Sequence, residues 1–285
     1  MEGNTNRPLI LVTNDDGIAS PGLRAAVRAA LRLGDVLVAA PSGQQTGAGR
    51  SMPGNGPLQI EPRDFILDGQ RLAAYAIPGT PAQTVMYGAL VLADRPVDLV
   101  ISGINYGENL GVEITASGTV GAALEAAAMG IPALAISRET HKRFHFNPEE
   151  GMDFVAAAHF AEVFGRMLLT RRLPPDVDVL KVDVPEGASA ETPWRVTRVS
   201  RQRYYYPVPP VNPDLSKPVY VDYEVRLDME TLEPDSDIWA LAVDRVVAVA
   251  PISLDLSSRV PLDEVDRALR APSIHRTPGG NRTDD

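Results

Sequence analysis

The chain has 285 residues, of which 44% are hydrophobic and 22% charged, with a formal net charge of −10 and no cysteine. That length supports one large domain with its own core, the missing cysteine excludes disulfides, thiolate nucleophiles and Cys-ligated metal centres, and the acidic balance argues against a nucleic-acid duplex as partner. No apolar run is long enough for a membrane span, and MEGNTNRPLILVTNDDG lacks the layout of a signal peptide, so the expectation is a cytoplasmic protein with no membrane partner.

Residues 9–13 (LILVT) form a short apolar run that ends in Asn14-Asp15-Asp16-Gly17, which predicts a buried strand feeding a turn. Across residues 22–33, Leu23, Ala26, Val27, Ala30 and Leu31 share one face of a helix, and residues 35–40 (DVLVAA) read as a second buried strand. Strand–helix–strand is the unit of a parallel sheet. Residues 58–62 and 71–77 predict two short strands joined by a turn at Asp68-Gly69. Thr80-Pro81-Ala82-Gln83 is a capping box with proline in the first turn, opening a helix to about residue 92. A strand over 98–102, an alanine-rich helix over 117–129 and a strand over 133–137 follow. Asn147-Pro148-Glu149-Glu150 is a second capping signature, for a helix reaching about residue 170, and residues 178–184 close the pattern as a strand.

The expected fold is therefore α/β: a three-layer αβα, Rossmann-like arrangement with a mostly parallel sheet, followed by an extended C-terminal β arm. Residues 7–190 are assigned to the αβα catalytic domain. Residues 191–245, dense in proline and tyrosine and alternating over 219–227, are assigned to the arm. Residues 246–271 hold a returning strand and a C-terminal helix, and 272–285 a polar, disordered tail.

In such sheets ligands sit beyond the carboxyl ends of the strands, so the loops there are the candidates for chemistry. Asp15 and Asp16 are adjacent carboxylates in a turn, where both can face one cation; the plain alternative is an Asx turn with a glycine exit. Gly43 to Ser51 superficially resembles a phosphate-binding P-loop but has Gln44 for the first glycine and Arg50 for the lysine, which leaves a loop offering hydroxyls and one arginine. In Ser102-Gly103-Ile104-Asn105-Tyr106-Gly107 and its continuation, Asn105 or Asn109 could give an amide oxygen to a hard cation. Ser117-Gly118-Thr119 opens the alanine-rich helix, where free amides and the positive dipole end favour phosphate; plain capping by Ser117 explains the same residues. Each loop taken singly is weak. Together they supply two carboxylates, an amide oxygen, a hydroxyl and a phosphate cradle at one end of one sheet, a kit for metal-assisted phosphate hydrolysis. The four histidines, His141, His145, His159 and His275, have no metal-ligand spacing and are read as surface or packing residues; Tyr204, Tyr205 and Tyr206 are read as packing in an oligomer contact.

The motifs VTNDDGI, GAGRS, GTPA, DLVISGINYGENLG, SGTVGAALEA and IPALAIS, continuing through RVTRVSRQRYYY and DIWALAVDRVVAVAPISLDL, occur in the order that resembles the SurE (survival protein E) family of nucleotidases, over roughly residues 9–256. The resemblance implies a phosphatase that hydrolyses nucleoside 5′- and 3′-monophosphates with one divalent metal ion per subunit, Mg²⁺ or Mn²⁺. It also implies a homodimer or homotetramer built through the arm. Carried over by position, Asp15, Asp16 and Asn105 are metal ligands, with Asp15 and Asp16 also catalytic. Ser117, Gly118 and Thr119, with Asn14 and Asn109, are assigned to the phosphate. The family's metal-binding serine, five residues after the proline that ends the second strand, is here Thr46, a departure. Gln83 and Thr84 stand where the family commonly has an Asp-Cys pair. The expected mechanism is attack of water on phosphorus, with Asp15 or Asp16 orienting or deprotonating it. The rival is a nucleotide-binding or scaffolding protein that has lost turnover, and Thr46 is the feature that favours it.

Overall fold

The computed structural model describes residues 7–54, 56–145 and 152–271. In chain order the elements are β1 (Leu9–Thr13), α1 (Pro21–Leu31), β2 (Asp35–Pro41), β3 (Glu61–Pro62), β4 (Phe65–Leu67), β5 (Gln70–Ile77), α2 (Pro81–Tyr87), β6 (Leu99–Tyr106), α3 (Gly118–Ala128), β7 (Ala133–Arg138), α4 (Val155–Thr170), β8 (Val179–Val184), β9 (Trp194–Val196), β10 (Tyr205–Val208), β11 (Asp222–Val225), β12 (Val247–Ile252) and α5 (Leu262–Arg270). The central sheet has the order β3-β5-β2-β1-β6-β7-β8-β12-β9, with β4 on β5. From β5 to β8 the six strands are parallel. β12 runs antiparallel to β8, and β9 is parallel to β12.

The sheet is sandwiched because its strands bury both faces. Along β1, Ile10 and Val12 join a core with Leu23 and Val27 of α1 and Phe160 and Phe164 of α4. Leu9 and Leu11 point the other way, into a core with Val85 of α2 and Val120 and Ala123 of α3. This period-two split makes three layers, as the alternation of elements predicts. Thr80 caps α2 as expected, with reciprocal bonds to Gln83.

The order in which successive strands are added reverses at β1, with β2 laid down on one side of it and β6 on the other. That reversal opens a crevice beyond the carboxyl ends of β1 and β6, the usual ligand position in such sheets. The loops at Asn14 and at Asn105 leave the sheet there.

The structure differs from the expected elements in four places. The Asp68-Gly69 turn joins β4 to β5; Phe65 and Leu67 are buried and pair with β5, a strand too short for its periodicity to be read. β6 runs on past Ser102 to Tyr106, resuming its pairing with β7 after a register shift, so Asn105 sits on a strand end. The described part of α4 begins at Val155, and the capping signature at Asn147 to Glu150 lies outside the described residues, as do the tail 272–285 and His275. β9 falls within the segment assigned to the arm yet pairs with β12 in the central sheet. Its burial partner is the core: Trp194 packs edge-on against Phe164. The remainder of that segment carries the separate β10–β11 ribbon and a small apolar cluster of Tyr204, Leu232, Ile238 and Leu241 around Leu110.

The chain divides into two compact units, residues 1–254 and 255–285. The described part of the second holds α5, with Asp263 and Glu264 in its first turn and Arg267 and Arg270 in its last, the arrangement that suits the helix dipole.

Candidate active site

Asn14 closes the turn after β1. Its Nδ2 donates to the Gly17 carbonyl and its Oδ1 accepts from the Gly17 amide, each at 3.1 Å, and the side chain is fully buried. This is the Asx turn, and it spends both polar ends of Asn14 on Gly17. Gly17 has φ +96°, and a Cβ there would lie 3.1 Å from the backbone of Gly43, so the first and second loops touch only because this residue is glycine.

With the turn fixed, Asp15 points at the start of α3. The Thr119 hydroxyl donates to Asp15 Oδ1 at 2.7 Å, and a Cβ on Gly118 would sit 2.8 Å from the Asp15 Cβ. The Asp15 carbonyl accepts from the Gln45 amide at 2.7 Å. Ser117 caps α3 by accepting from the Val120 amide at 3.1 Å. The positive end of α3 is thus already turned toward a carboxylate. Thr119 is fully buried, and its hydroxyl is committed to Asp15.

Asp16 has one oxygen held by Gln44 Nε2 at 3.3 Å; the same Nε2 donates to the His145 carbonyl at 2.8 Å. The other oxygen, Oδ2, is buried without a hydrogen-bond partner. Burial, and after it repulsion from Asp15, pushes the Asp16 carboxyl well above the usual range, against opposing polar contacts with Tyr106 and Gln44. Burial raises Asp15 too, against the bonds from Thr119. Two adjacent buried carboxylates with a free oxygen repel each other and lack solvation, a cost that a cation between them removes.

Asn105 donates through Nδ2 to the Gly107 carbonyl at 2.7 Å, which leaves its Oδ1 to accept. Asn109 donates through Nδ2 to Ser137 Oγ at 2.7 Å. Its backbone is clamped from below: the amide donates to Asp183 at 2.8 Å and the carbonyl accepts from Lys181 Nζ at 2.7 Å. Lys181 is paired with Asp183 and, at 3.1 Å, with Asp237, all three being essentially inaccessible. Asp237 in turn accepts from the amides of Gly111, Ser200 and Ile238.

These groups converge. One pocket of about 100 Å³ is lined by Asp15, Asp16, Thr46, Asn105, Asn109 and Ser117 together with Gly47, Tyr106, Gly107, Glu108, His145 and Tyr205. The structure therefore brings together all four residues expected around a metal ion, and Ser117 and Asn109 beside them. Gly118 and Thr119 stand behind Asp15, and Asn14 lies beneath the turn; none of these three lines the pocket. Among the described residues no group of three or more His, Cys, Asp or Glu is placed to hold a metal ion, so a cation here needs the two carboxylates plus neutral oxygens. Unpartnered Asp16 Oδ2 and the accepting oxygen of Asn105 fit a hard ion, and the oxygen-only donor set does as well.

Sequence reasoning missed Gln44, Glu108 and the place of His145. In the sequence Gln44 stands only where a P-loop would have its first glycine; in the fold it bonds Asp16 and the His145 carbonyl. His145 is a wall residue: Nδ1 meets the Tyr223 hydroxyl at 2.8 Å and Nε2 the Thr140 carbonyl at 2.9 Å, so both ring nitrogens are engaged. Burial holds it below the usual imidazole range. That agrees with a packing role.

Comparison with known proteins places the chain in context. The family described as Survival protein SurE matches residues 10–206. A protein of Thermococcus kodakarensis named 5′-nucleotidase SurE is 42% identical over 262 residues, covering 92% of this chain and 98% of that protein. One of the same name from Methanocella arvoryzae is 40% identical over 266 residues, covering 92% and 97%. The crystal structure of the SurE protein from Aquifex aeolicus superposes with a TM-score of 0.72 at 31% identity, covering 92% of this chain and 99% of that one.

Proposed function

The chain belongs to the SurE family, and from that premise we propose how its pocket hydrolyses a phosphate ester. It is a metal-dependent 5′-nucleotidase that splits nucleoside monophosphates into nucleoside and phosphate. The reading extends to 3′-monophosphates and to one Mg²⁺ or Mn²⁺ ion per subunit. The observation that carries it is the buried, unpartnered Asp16 Oδ2 beside Asp15 in a pocket that also holds Asn105 and Thr46.

Asp15, Asp16, the Asn105 amide oxygen and the Thr46 hydroxyl would hold the cation. The chemistry a bound cation supplies is neutralisation of the two carboxylates and polarisation of the phosphate. The protein's own work is positioning. Thr119 fixes the Asp15 carboxylate through its hydroxyl. Asp15 or Asp16, through a carboxylate oxygen not given to the cation, would orient the attacking water and take its proton. Ser117, Gly118 and Thr119 form the amino end of α3, whose dipole stabilises negative charge on the phosphoryl oxygens, with Asn109 beside them. Asn14 contributes by locking the turn that aims both aspartates.

We place the enzyme in the cytoplasm as a homodimer or homotetramer, with subunit contact through residues 191–245. What supports the contact is the apolar side chains left exposed there, Val196, Val211, Leu215, Tyr220 and Val221 among them. No helix among the described residues is long and apolar enough to cross a membrane.

The test is phosphate release from a panel of 5′- and 3′-monophosphates crossed with Mg²⁺ and Mn²⁺. Turnover of at least one monophosphate with added metal is expected. Tight nucleotide binding with no release under any metal would instead establish the rival, a nucleotide-binding protein without turnover.

A further inference from the structure

Lys181 and Asp183 of β8 and Asp237, from the stretch between β11 and β12, form a charge cluster with no more than 1% exposure at any member. Desolvating three charges is costly, and apolar side chains of similar volume would hold the sheet as well. What this cluster does that an apolar one could not is to grip one residue of the active-site loop. Asp183 accepts from the Asn109 amide at 2.8 Å, and Lys181 Nζ donates to the Asn109 carbonyl at 2.7 Å. Ser137, the neighbour of Asp183 in the register of β7 and β8, accepts from Asn109 Nδ2 at 2.7 Å. Three buried side chains from two strands thus fix both peptide groups and the side chain of Asn109. The second hydrogen of Nδ2 remains to donate, and Asn109 lines the catalytic pocket. The next turn hangs from the same cluster: Asp237 accepts from the Gly111 amide at 3.2 Å, and Val112 donates to the Gln202 carbonyl at 3.2 Å. A Cβ on Gly111, whose φ is +55°, would lie 2.4 Å from that carbonyl, so the loop seats there only because the residue is glycine.

We propose that Lys181 is a positioning residue for phosphate binding, acting through the backbone of Asn109. The proposal rests on the phosphatase reading of the pocket and on the assignment of Asn109 to phosphate. The ammonium has three hydrogens and meets three oxygens, one each from Asp183, Asp237 and Asn109, so its bonding is complete. One partner belongs to the central sheet, one to the stretch before β12 and one to the pocket. Lys181 therefore ties a glycine-flanked loop to rigid structure. Gly107 and Gly111, both at positive φ, bound that loop, and such a backbone has little stiffness of its own. A donor aimed at a phosphoryl oxygen loses most of its worth when displaced by about 1 Å. Without the lysine, Asn109 keeps its place in the chain but not its place in the pocket.

The experiment uses the full chain with Mn²⁺ and reads kcat and KM for AMP, inhibition by inorganic phosphate, and the metal concentration for half-maximal rate. The main variant combines Lys181→Met, Asp183→Asn and Asp237→Asn. It leaves no buried charge unpaired and keeps side-chain oxygens for the amides of Asn109 and Gly111, so what it removes is the bond to the Asn109 carbonyl. KM for AMP and the inhibition constant for phosphate should rise about tenfold, with kcat within about threefold. The metal requirement should stay within about twofold of wild type, since Asn109 is not among the residues expected around the cation. A merely structural role would lower the folded fraction, which cuts apparent kcat and leaves KM and the inhibition constant alone. Asn109→Ala should weaken phosphate to a similar degree, and adding the triple change to it should cost less than about twofold more. Lys181→Arg is the second variant: a longer, planar guanidinium cannot meet all three oxygens without moving Asn109, so phosphate inhibition should weaken severalfold. Unchanged KM and phosphate inhibition in either variant, folded by circular dichroism, would overturn the proposal, as would a full tenfold effect on the Asn109→Ala background. Wild-type phosphate inhibition in Asn109→Ala alone would remove the role of Asn109 and this proposal with it, while AMP turnover would still uphold the phosphatase reading. Absence of phosphate release by the wild type would remove that reading itself.

Discussion

Replacement of Asp16 by Asn removes one of two adjacent carboxylates, Asp15 buried and Asp16 half-buried, and leaves the shape of the turn intact. The Gln44 amide can still donate to the remaining Oδ1, and the orphaned Oδ2 becomes an uncharged amide. In the metal-free protein, at a pH where both carboxylates are ionised, adjacent unit charges at an effective dielectric near 20 repel by about 3 kcal/mol. Asp16 is partly exposed, so solvent screening reduces the expected gain to about 1–2 kcal/mol. For a domain of this size that corresponds to a rise of about 2–4 °C in Tm. The pH dependence has a definite sign. Asp16 holds its proton in the folded state to a pH well above its unfolded value of 3.8, so its ionisation costs the native state. Wild-type stability without metal should fall as pH rises from about 4 through the folded pKa, and Asp16→Asn should lose that part of the fall. Thermal melts in EDTA at several pH values measure both effects. Added Mg²⁺ or Mn²⁺ should stabilise the wild type and do little for the variant, which should be inactive. Destabilisation of Asp16→Asn in EDTA, or metal stabilisation equal to that of the wild type, would refute the reasoning.

Three further outcomes are expected. Thr46→Ser should retain activity, whereas Thr46→Val should require several times more metal for half-maximal rate; a metal titration of phosphate release reads this directly. Lys181→Met should cost about 3–5 kcal/mol in denaturant melts, because it leaves Asp183 and Asp237 buried without their cation. Val211→Asp with Leu215→Asp should yield smaller particles by light scattering with the fold intact, since both side chains are at least 85% exposed on the segment assigned to subunit contact.

The parts of this protein that could be read from sequence are those specified by neighbours in the chain. LILVT alternates its side chains into two cores, and Thr80 and Gln83 cap one helix; both depend on residues a few positions apart. The turn at Asn14 to Gly17 satisfied two readings at once. It is an Asx turn, and that turn aims Asp15 and Asp16 into the pocket. Illegible features depend on distant partners. Glu108 is ordinary as a residue and matters only because Thr140, His145 and Tyr205 close around it. Lys181 and Asp183 sit two positions apart on β8, and their burial is tolerable only because Asp237 and the Asn109 backbone meet them from elsewhere. Trp194–Val196 reads as arm because the proline-rich texture surrounds it, and its true partner, β12, lies more than fifty residues later. The sequence places Thr119 at a helix start, but the bond from its hydroxyl to Asp15, 104 residues away in the chain, is visible only in the fold.

The central claim is that the pocket of Asp15, Asp16, Thr46 and Asn105 works through a weakly held, oxygen-bound divalent cation. Dialysis of the purified protein against EDTA, followed by phosphate release from AMP, tests it most directly. The dialysed protein should be silent, and millimolar-range Mg²⁺ or Mn²⁺ should restore turnover. Full activity in EDTA would contradict the account.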